Sequence, residues 1–306
     1  MGRFALRRAA FGIVVMFLVT VVVFVTTRMI GDPANTLLPL TATHEQRVAF
    51  THQLGLDRPI LTQFVHYLGN VSHLDFGNSL LQSRPALNIV LDRLPNTFEL
   101  VGFGLAIAIL FAIPLGVLAA LKPGSLVDKA TVVVSLSGLS VAQVWLGLLL
   151  ILVFAAELKV LPSAGIGGID HLILPGLTLA FPALGRLVML TRSTMIDELN
   201  TQYVQTARAK GIPEIRVVGL HALRNAAIPI LTLSGWELIR ALAGFSVVVE
   251  TVFAWPGVGY LAFQSIQQND VILLQAIVTV MGFLIVAINV GLDVVFKVID
   301  RRVELA

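Results

Sequence analysis

Residues 99–121 read ELVGFGLAIAILFAIPLGVLAAL, with a single charge, Glu99, at the edge. The hydrocarbon core of a bilayer is about 30 Å thick and takes roughly 20 apolar residues of helix, because every backbone N–H and C=O inside it must be satisfied within the segment. The stretch has that length and composition, so it predicts a membrane-spanning helix. Five more segments of the same kind flank it, near residues 9–28, 131–156, 172–193, 227–250 and 274–298. Of 306 residues, 57% are hydrophobic and 13% charged. Mean hydropathy is +0.89, far above that of a soluble domain, whose surface must be covered by charge. The expectation is an all-α integral membrane protein with six transmembrane helices, embedded in a lipid bilayer.

The first segment follows Arg3, Arg7 and Arg8, but its apolar stretch from Phe11 to Val25 lacks the short core and small-residue cleavage site of a signal peptide. It reads as a retained anchor. Leu6 stands where a myristoylation motif needs Ser or Thr. The absence of cysteine excludes disulfide frameworks, iron–sulfur clusters and thiolate metal sites. A pI near 9.5 does not call for nucleic acid, since cytoplasmic loops of any multispanning protein attract Lys and Arg. With a cytoplasmic N-terminus, six spans return the C-terminus to the same side, an N-in, C-in topology. Charges agree: Arg3, Arg7, Arg8, Lys122, Lys129, Arg186, Arg192, Arg208, Lys210, Arg216, Arg224, Lys297, Arg301 and Arg302 fall in or near cytoplasmic segments. Arg28, Arg47, Arg58, Arg84, Arg93 and Lys159 fall outside, most of them in one long loop, and long loops cross a membrane largely regardless of charge.

That topology puts a conspicuously polar stretch, QTARAKGIPEIRVVGLHALRNAAIP at 205–229, in the cytoplasm. It is either a loop that is basic because it is inside, or a built element. Its pattern fits the second. A helix starting near Asp197–Asn200 would carry Tyr203, Thr206, Ala207 and Lys210 at helical spacing, and Gly211 supplies a stop at C′. Pro213 and Glu214 suit the first turn of a second helix, where a missing N–H costs little and a negative charge meets the dipole. Ile215, Val218 and Ala222 would form that helix's apolar face, with Arg216 and Arg224 elsewhere. Two short helices joined at a glycine make a projecting knob.

The chain carries no Gly-x-x-x-x-Gly-Lys-[Ser/Thr] loop for phosphates, no His-Glu-x-x-His and no Gly-x-Ser-x-Gly, so no catalytic residue is assigned. His44, His52, His66 and His73 lie in the long loop at irregular spacing, and no metal site is read from them. Glu237 and Arg240, three residues apart in the fifth span, are neighbours on one helical face. Either alone near midplane costs about 2.5–3.5 kcal/mol on insertion scales. They pair with each other as an internal ion pair, or they line a translocation pathway, for which Gln143 and Asn289 are further candidates. The long loop is cut by Pro33, Pro39, Pro59, Pro85 and Pro95, with a short helix predicted from Glu45 to Leu54. Trp255 to Tyr260 reads as a glycine-rich turn before the last span.

These residues resemble a known family. Thr206-Ala207-Arg208-Ala209-Lys210-Gly211, followed by His221-Ala222-Leu223-Arg224-Asn225 and Pro229, is similar to the cytoplasmic signature loop of permease subunits of binding-protein-dependent ABC importers, the dipeptide/oligopeptide/nickel group in particular. Leu54-Gly55-Leu56-Asp57, Asp75-Phe76-Gly77, Pro114-Leu115-Gly116, Leu161-Pro162, Leu174-Pro175, Glu250, Phe253, Pro256-Gly257-Val258-Gly259, Asn289, Asp293 and Asp300 extend the likeness along the chain. It departs at Thr206, where Glu is commoner, at Gly244-Phe245, at Asp300-Arg301-Arg302 and at Arg240.

The resemblance implies a type I, MetI-like permease architecture in a bacterial inner membrane. An anchor helix and external loop would occupy 1–98 and a five-span core 99–306, with a coupling loop at about 197–226. It implies three kinds of protein partner: a homologous second permease in a heterodimer, two cytoplasmic ATPase subunits that use ATP and Mg2+, and an extracytoplasmic solute-binding protein. Nucleic acid is not among them, and no cofactor is bound by this chain. The coupling helix would meet the ATPase through Tyr203, Ala207, Arg208, Lys210, Gly211 and His221. The turn at Pro256, Gly257 and Gly259 would take a gating role. Cargo is expected to be short peptides, with nickel chelates or glutathione as alternatives. An ion-coupled secondary transporter is the alternative from another class, one that typically carries inverted repeats and broken spans.

Overall fold

The computed structural model describes residues 2–29, 52, 58–79 and 82–299. The predicted helix over 45–54, Leu54 to Asp57 and the Asp300-Arg301-Arg302 terminus lie outside them, as do the side chains of Arg3, Arg7, Arg8 and Arg28. Among the described residues the ordered elements are helices. The chain divides into two compact units, Met1–Pro95 with Gly257–Val290, and Asn96–Pro256 with Gly291–Ala306.

In the second unit, α3 (Ala86–Leu121) begins in the first and runs through the segment that predicted it. Helix α4 (Leu126–Ser140) starts at Ser125, whose hydroxyl accepts the Asp128 N–H, an ordinary N-cap. Here the sequence expectation needs correction. The stretch 131–156, read as one span, is broken: Val141 and Ala142 adopt extended dihedrals, and α5 (Gln143–Glu157) leaves at 106° to α4. Next come α6 (Ile169–Leu199), α7 (Gln202–Ala209) and α8 (Glu214–Val252). Helix α8 runs from the knob into the fifth span as far as a kink at Gly244, so the knob's second half is the first turns of a long helix. It contains π-helical turns at Val217–Ala222 and Ala241–Phe245, and Gly244 leaves helical dihedrals, which kinks it.

Helix α6 forms the axis of this unit. Its Leu187, Val188 and Met195 are buried with Ala108 and Ala112 of α3 and Ala226 and Ile230 of α8. Small residues let α4 approach closely: a Cβ at Gly138 would lie 2.6 Å from the Phe181 carbonyl oxygen, and one at Gly185 2.6 Å from that of Ser135. Backbone contact of this kind suits helices in lipid, where packing rather than the hydrophobic effect drives association.

The first unit holds α1 (Gly2–Met29), α2 (Ile60–Ser72), α9 (Val258–Gln267) and most of α10 (Val271–Ile299). Phe64 of α2 sits edge-on to Phe17 and Phe24 of α1, and Tyr67 stacks on Phe24. The Ser79 hydroxyl hydrogen-bonds the Asp270 carboxylate at 2.5 Å, while its other oxygen accepts the Leu273 N–H and caps α10.

Among the described residues four helices are long and apolar enough to cross a membrane: Ala86–Leu121, Ile169–Leu199, Glu214–Val252 and Val271–Lys297. The bent pair α4–α5 makes a fifth if it counts as one span. In α1 the apolar part is Ala10–Thr26, at the short end of what a bilayer requires. The chain is a multi-pass membrane protein.

Candidate coupling knob and buried ion pair

The knob is built from the end of α6, all of α7 and the start of α8. Helix α7 stops at Gly211, whose φ of +73° is open to glycine and strained for other residues. The Gly211 N–H donates to the Arg208 carbonyl at 2.9 Å and the Ile212 N–H to that of Ala207 at 3.3 Å, the paired bonds of a Schellman cap. A Cβ on Gly211 would meet nothing within 4 Å, so the requirement there is conformational rather than spatial. Across this corner the Arg208 guanidinium grips the Glu214 carboxylate through both oxygens, at 3.1 and 2.5 Å. Both side chains are exposed, at 42% and 54%.

Val204 and Ala207 turn inward onto Val217, Ala222 and Ala226. Among the sequence-assigned coupling residues, Arg208, Lys210, Gly211 and part of Tyr203 are on the surface, His221 is half-buried and Ala207 is inside. The Tyr203 hydroxyl donates to Glu198 and accepts from Asn225 Nδ2 at 2.8 Å, tying both ends of the knob together. Partial burial, then the neighbouring Glu198 carboxylate, hold this phenol above its ordinary pKa. The apolar face is the expected one at Val218 and Ala222 and differs at Ile215. Ile215 is 83% exposed, and Val217, not Ile215, lies in the core. The π turn spanning Val217–Ala222 carries five residues from one buried position to the next, which a 3.6-residue period does not anticipate.

The second constellation lies on α6 and α8. Arg186 makes a two-point contact with Glu237, Nε to Oε1 at 2.6 Å and Nη2 to Oε2 at 2.7 Å. The Glu237 side chain is 2% exposed. Arg240, the partner expected from sequence, reaches Oε1 only at 3.5 Å and is 48% exposed. Glu237 is thus held chiefly by another helix. Arg186 was grouped with the cytoplasmic charges, yet it sits within the apolar body of α6. Nearer the end of α6, Arg192 forks onto the buried Asp128 of α4, and the Gly124 N–H adds a bond of 2.8 Å to the same carboxylate.

Residues 112–305 match the family of binding-protein-dependent transport system inner membrane components, and residues 1–101 match the N-terminal membrane component of such systems. The chain belongs to this family. It is 35% identical over 316 residues to the oligopeptide transport system permease protein AppB of Bacillus subtilis, covering 99% of this chain and all of that one. It is 36% identical over 305 residues to the glutathione transport system permease protein GsiC of Escherichia coli, covering 99% of each. Among solved structures, the inward-facing MetNI methionine ABC transporter superposes with a TM-score of 0.56 at 16% identity, over 70% of this chain and 97% of that one. The fold is therefore that of such permeases.

In this permease the turn before α9 is anchored rather than loose. Trp255 Nε1 donates to the Asn96 carbonyl at 2.9 Å, Asn96 Nδ2 donates to the Pro256 carbonyl at 2.8 Å, and Thr97 donates to the fully buried Glu250 at 2.9 Å. Ala254 holds a positive φ of 46° in the same turn. Pro256 lies in this unit, while Gly257 and Gly259 are buried at the start of α9 in the other. Gln143 stands half-buried in the first turn of α5, next to the break in α4–α5, and Asn289 half-buried on the part of α10 that belongs to the first unit. Sequence reasoning missed Arg186 as the partner of Glu237 and Asp128 as the partner of Arg192. The signal in the sequence is a charge inside a span, Arg186, which requires a partner.

Proposed function

We propose that this permease is half of the channel of an ATP-driven ABC importer for short peptides, and that the Gly211 knob is its coupling element. The supporting observation is the knob's construction. A Schellman corner, an Arg208–Glu214 clamp and the Tyr203 contacts make α7 rigid, and α8 leaves the corner without interruption to enter the membrane. A push on Arg208, Lys210 or Gly211 is then carried along α8 as a lever, which is how a closing motion in a partner can reach a distant span. Ala207 acts from inside, setting how closely α7 packs on α8, rather than by touching the partner.

In this reading the chain crosses the membrane six times, N-in and C-in, with α1 and the bent pair α4–α5 each counted as one crossing. A homologous second permease completes the channel. Two ATPase subunits hold ATP and Mg2+, and an extracytoplasmic binding protein in a bacterial envelope delivers the cargo. Glu237, Arg240, Gln143 and Asn289 border the pathway, and the anchored turn at Pro256, Gly257 and Gly259 takes part in gating. Oligopeptide and glutathione permeases among the relatives support a peptide cargo. The test is ATP-driven oligopeptide uptake by the reconstituted complex. A Gly211→Trp variant, present in the membrane at normal level, is expected to lose uptake; wild-type uptake would refute the coupling role.

A further inference from the structure

The charges between α6 and α8 do not balance. Among the described residues Glu237 is the carboxylate that both Arg186 and Arg240 pair with, and the Arg186 fork takes both its oxygens at 2.6 and 2.7 Å. Arg240 approaches only one of them, at 3.5 Å, whereas charge-assisted N–H···O bonds run to about 2.7–2.9 Å. An arginine does not shed its proton in a protein, so two guanidinium groups share one carboxylate and one positive charge is left over. Arg240 displays it, with a side chain 48% exposed against 2% for Glu237. The surroundings leave it room. Trp236, one turn before it, is 50% exposed. Ala243 is exposed, and Gly244 one turn after breaks the helical geometry with no atom within 4 Å of where a Cβ would stand.

We propose that Arg240 is a specificity residue that binds the terminal carboxylate of a passing peptide, while Arg186 keeps Glu237 from competing for it. The proposal rests on the pathway reading of this span. It replaces a symmetric picture, in which Glu237 and Arg240 would each meet one end of a zwitterion, with a one-sided one. Glu237 is already neutralised, so only the carboxylate end of the cargo finds a partner. A planar guanidinium with free N–H donors matches a carboxylate geometrically, which an ammonium does not.

The test uses the assembled importer in proteoliposomes, supplied with trialanine or trialanine amide, which differ only in the terminal carboxylate. Wild-type and variant permeases work with the same binding protein, so its own preference cancels when their acid-to-amide uptake ratios are compared. Arg240→Gln is expected to lower that ratio about tenfold, slowing the acid and sparing the amide. Arg240→Lys should fall between. The chain has no cysteine, so an Ala243→Cys variant with Arg240 intact gives a second readout that needs no amide transport. Maleimide labelling should be slowed by trialanine and not by its amide. Unchanged uptake of both peptides by Arg240→Gln overturns the pathway reading itself. Equal slowing of acid and amide keeps Arg240 on the pathway but overturns carboxylate recognition, as does labelling slowed equally by both peptides or by neither.

Discussion

The permease contains the same chemical contact twice, in opposite surroundings. Arg208 and Glu214 form a two-point pair across the knob, with side chains 42% and 54% exposed. Arg186 and Glu237 form a two-point pair between α6 and α8, 23% and 2% exposed. Distances barely distinguish them. Solvent does. At the surface water competes for both partners and salt screens them, so the pair mainly biases a conformation that the backbone already favours. In the buried site a carboxylate without its cation has nowhere to turn, so the pair fixes how α6 and α8 meet.

The largest effect should follow from breaking the buried pair. Glu237→Gln leaves two guanidinium groups facing a neutral amide and is expected to cost about 3–5 kcal/mol, read as a large drop in melting temperature and membrane level. Arg186→Gln should cost less, because Arg240 is close enough to swing onto the carboxylate. Replacing both, Arg186→Leu with Glu237→Leu, should recover most of the loss. A Glu237→Gln permease that melts like wild type would break the comparison at its strong end.

Next comes the corner itself. Gly211→Ala adds a methyl group where nothing lies within 4 Å, so its cost is only that of holding an L-residue in left-handed backbone, about 1–2 kcal/mol. Gly211→Asn should cost less, since Asn visits that region more readily. The check is thermal melting beside uptake. An alanine variant as stable as wild type would mean that the corner is not held at positive φ.

Legibility in the sequence followed the range of the interactions. The Gly211 corner was readable because a helix stop depends on a few consecutive residues, and apolar runs are local too. The break at Val141–Ala142 was not, because Ser-Val-Ala carries no proline or glycine to mark it. Ile215 was placed on the wrong face because a π turn changes the period by a residue per turn. Arg186 and Glu237 stand 51 residues apart, and nothing local marks them as partners. Arg240, only three residues from Glu237, was the readable candidate, and it proves to be the weaker contact.

The smallest effect separates the two pairs most cleanly. Arg208→Ala should cost at most about 1 kcal/mol of stability, since water replaces most of what the guanidinium gives Glu214 and the Schellman bonds remain. Glu214→Gln should behave alike. Repeating the melts in 1 M salt, where the Debye length falls to about 3 Å, should shrink the difference between Arg208→Ala and wild type. It should leave the Glu237→Gln defect nearly unchanged, because ions do not reach a carboxylate that is 2% exposed. If both defects faded together, the inner pair would be as wet as the outer one, and solvent would no longer account for the difference between them.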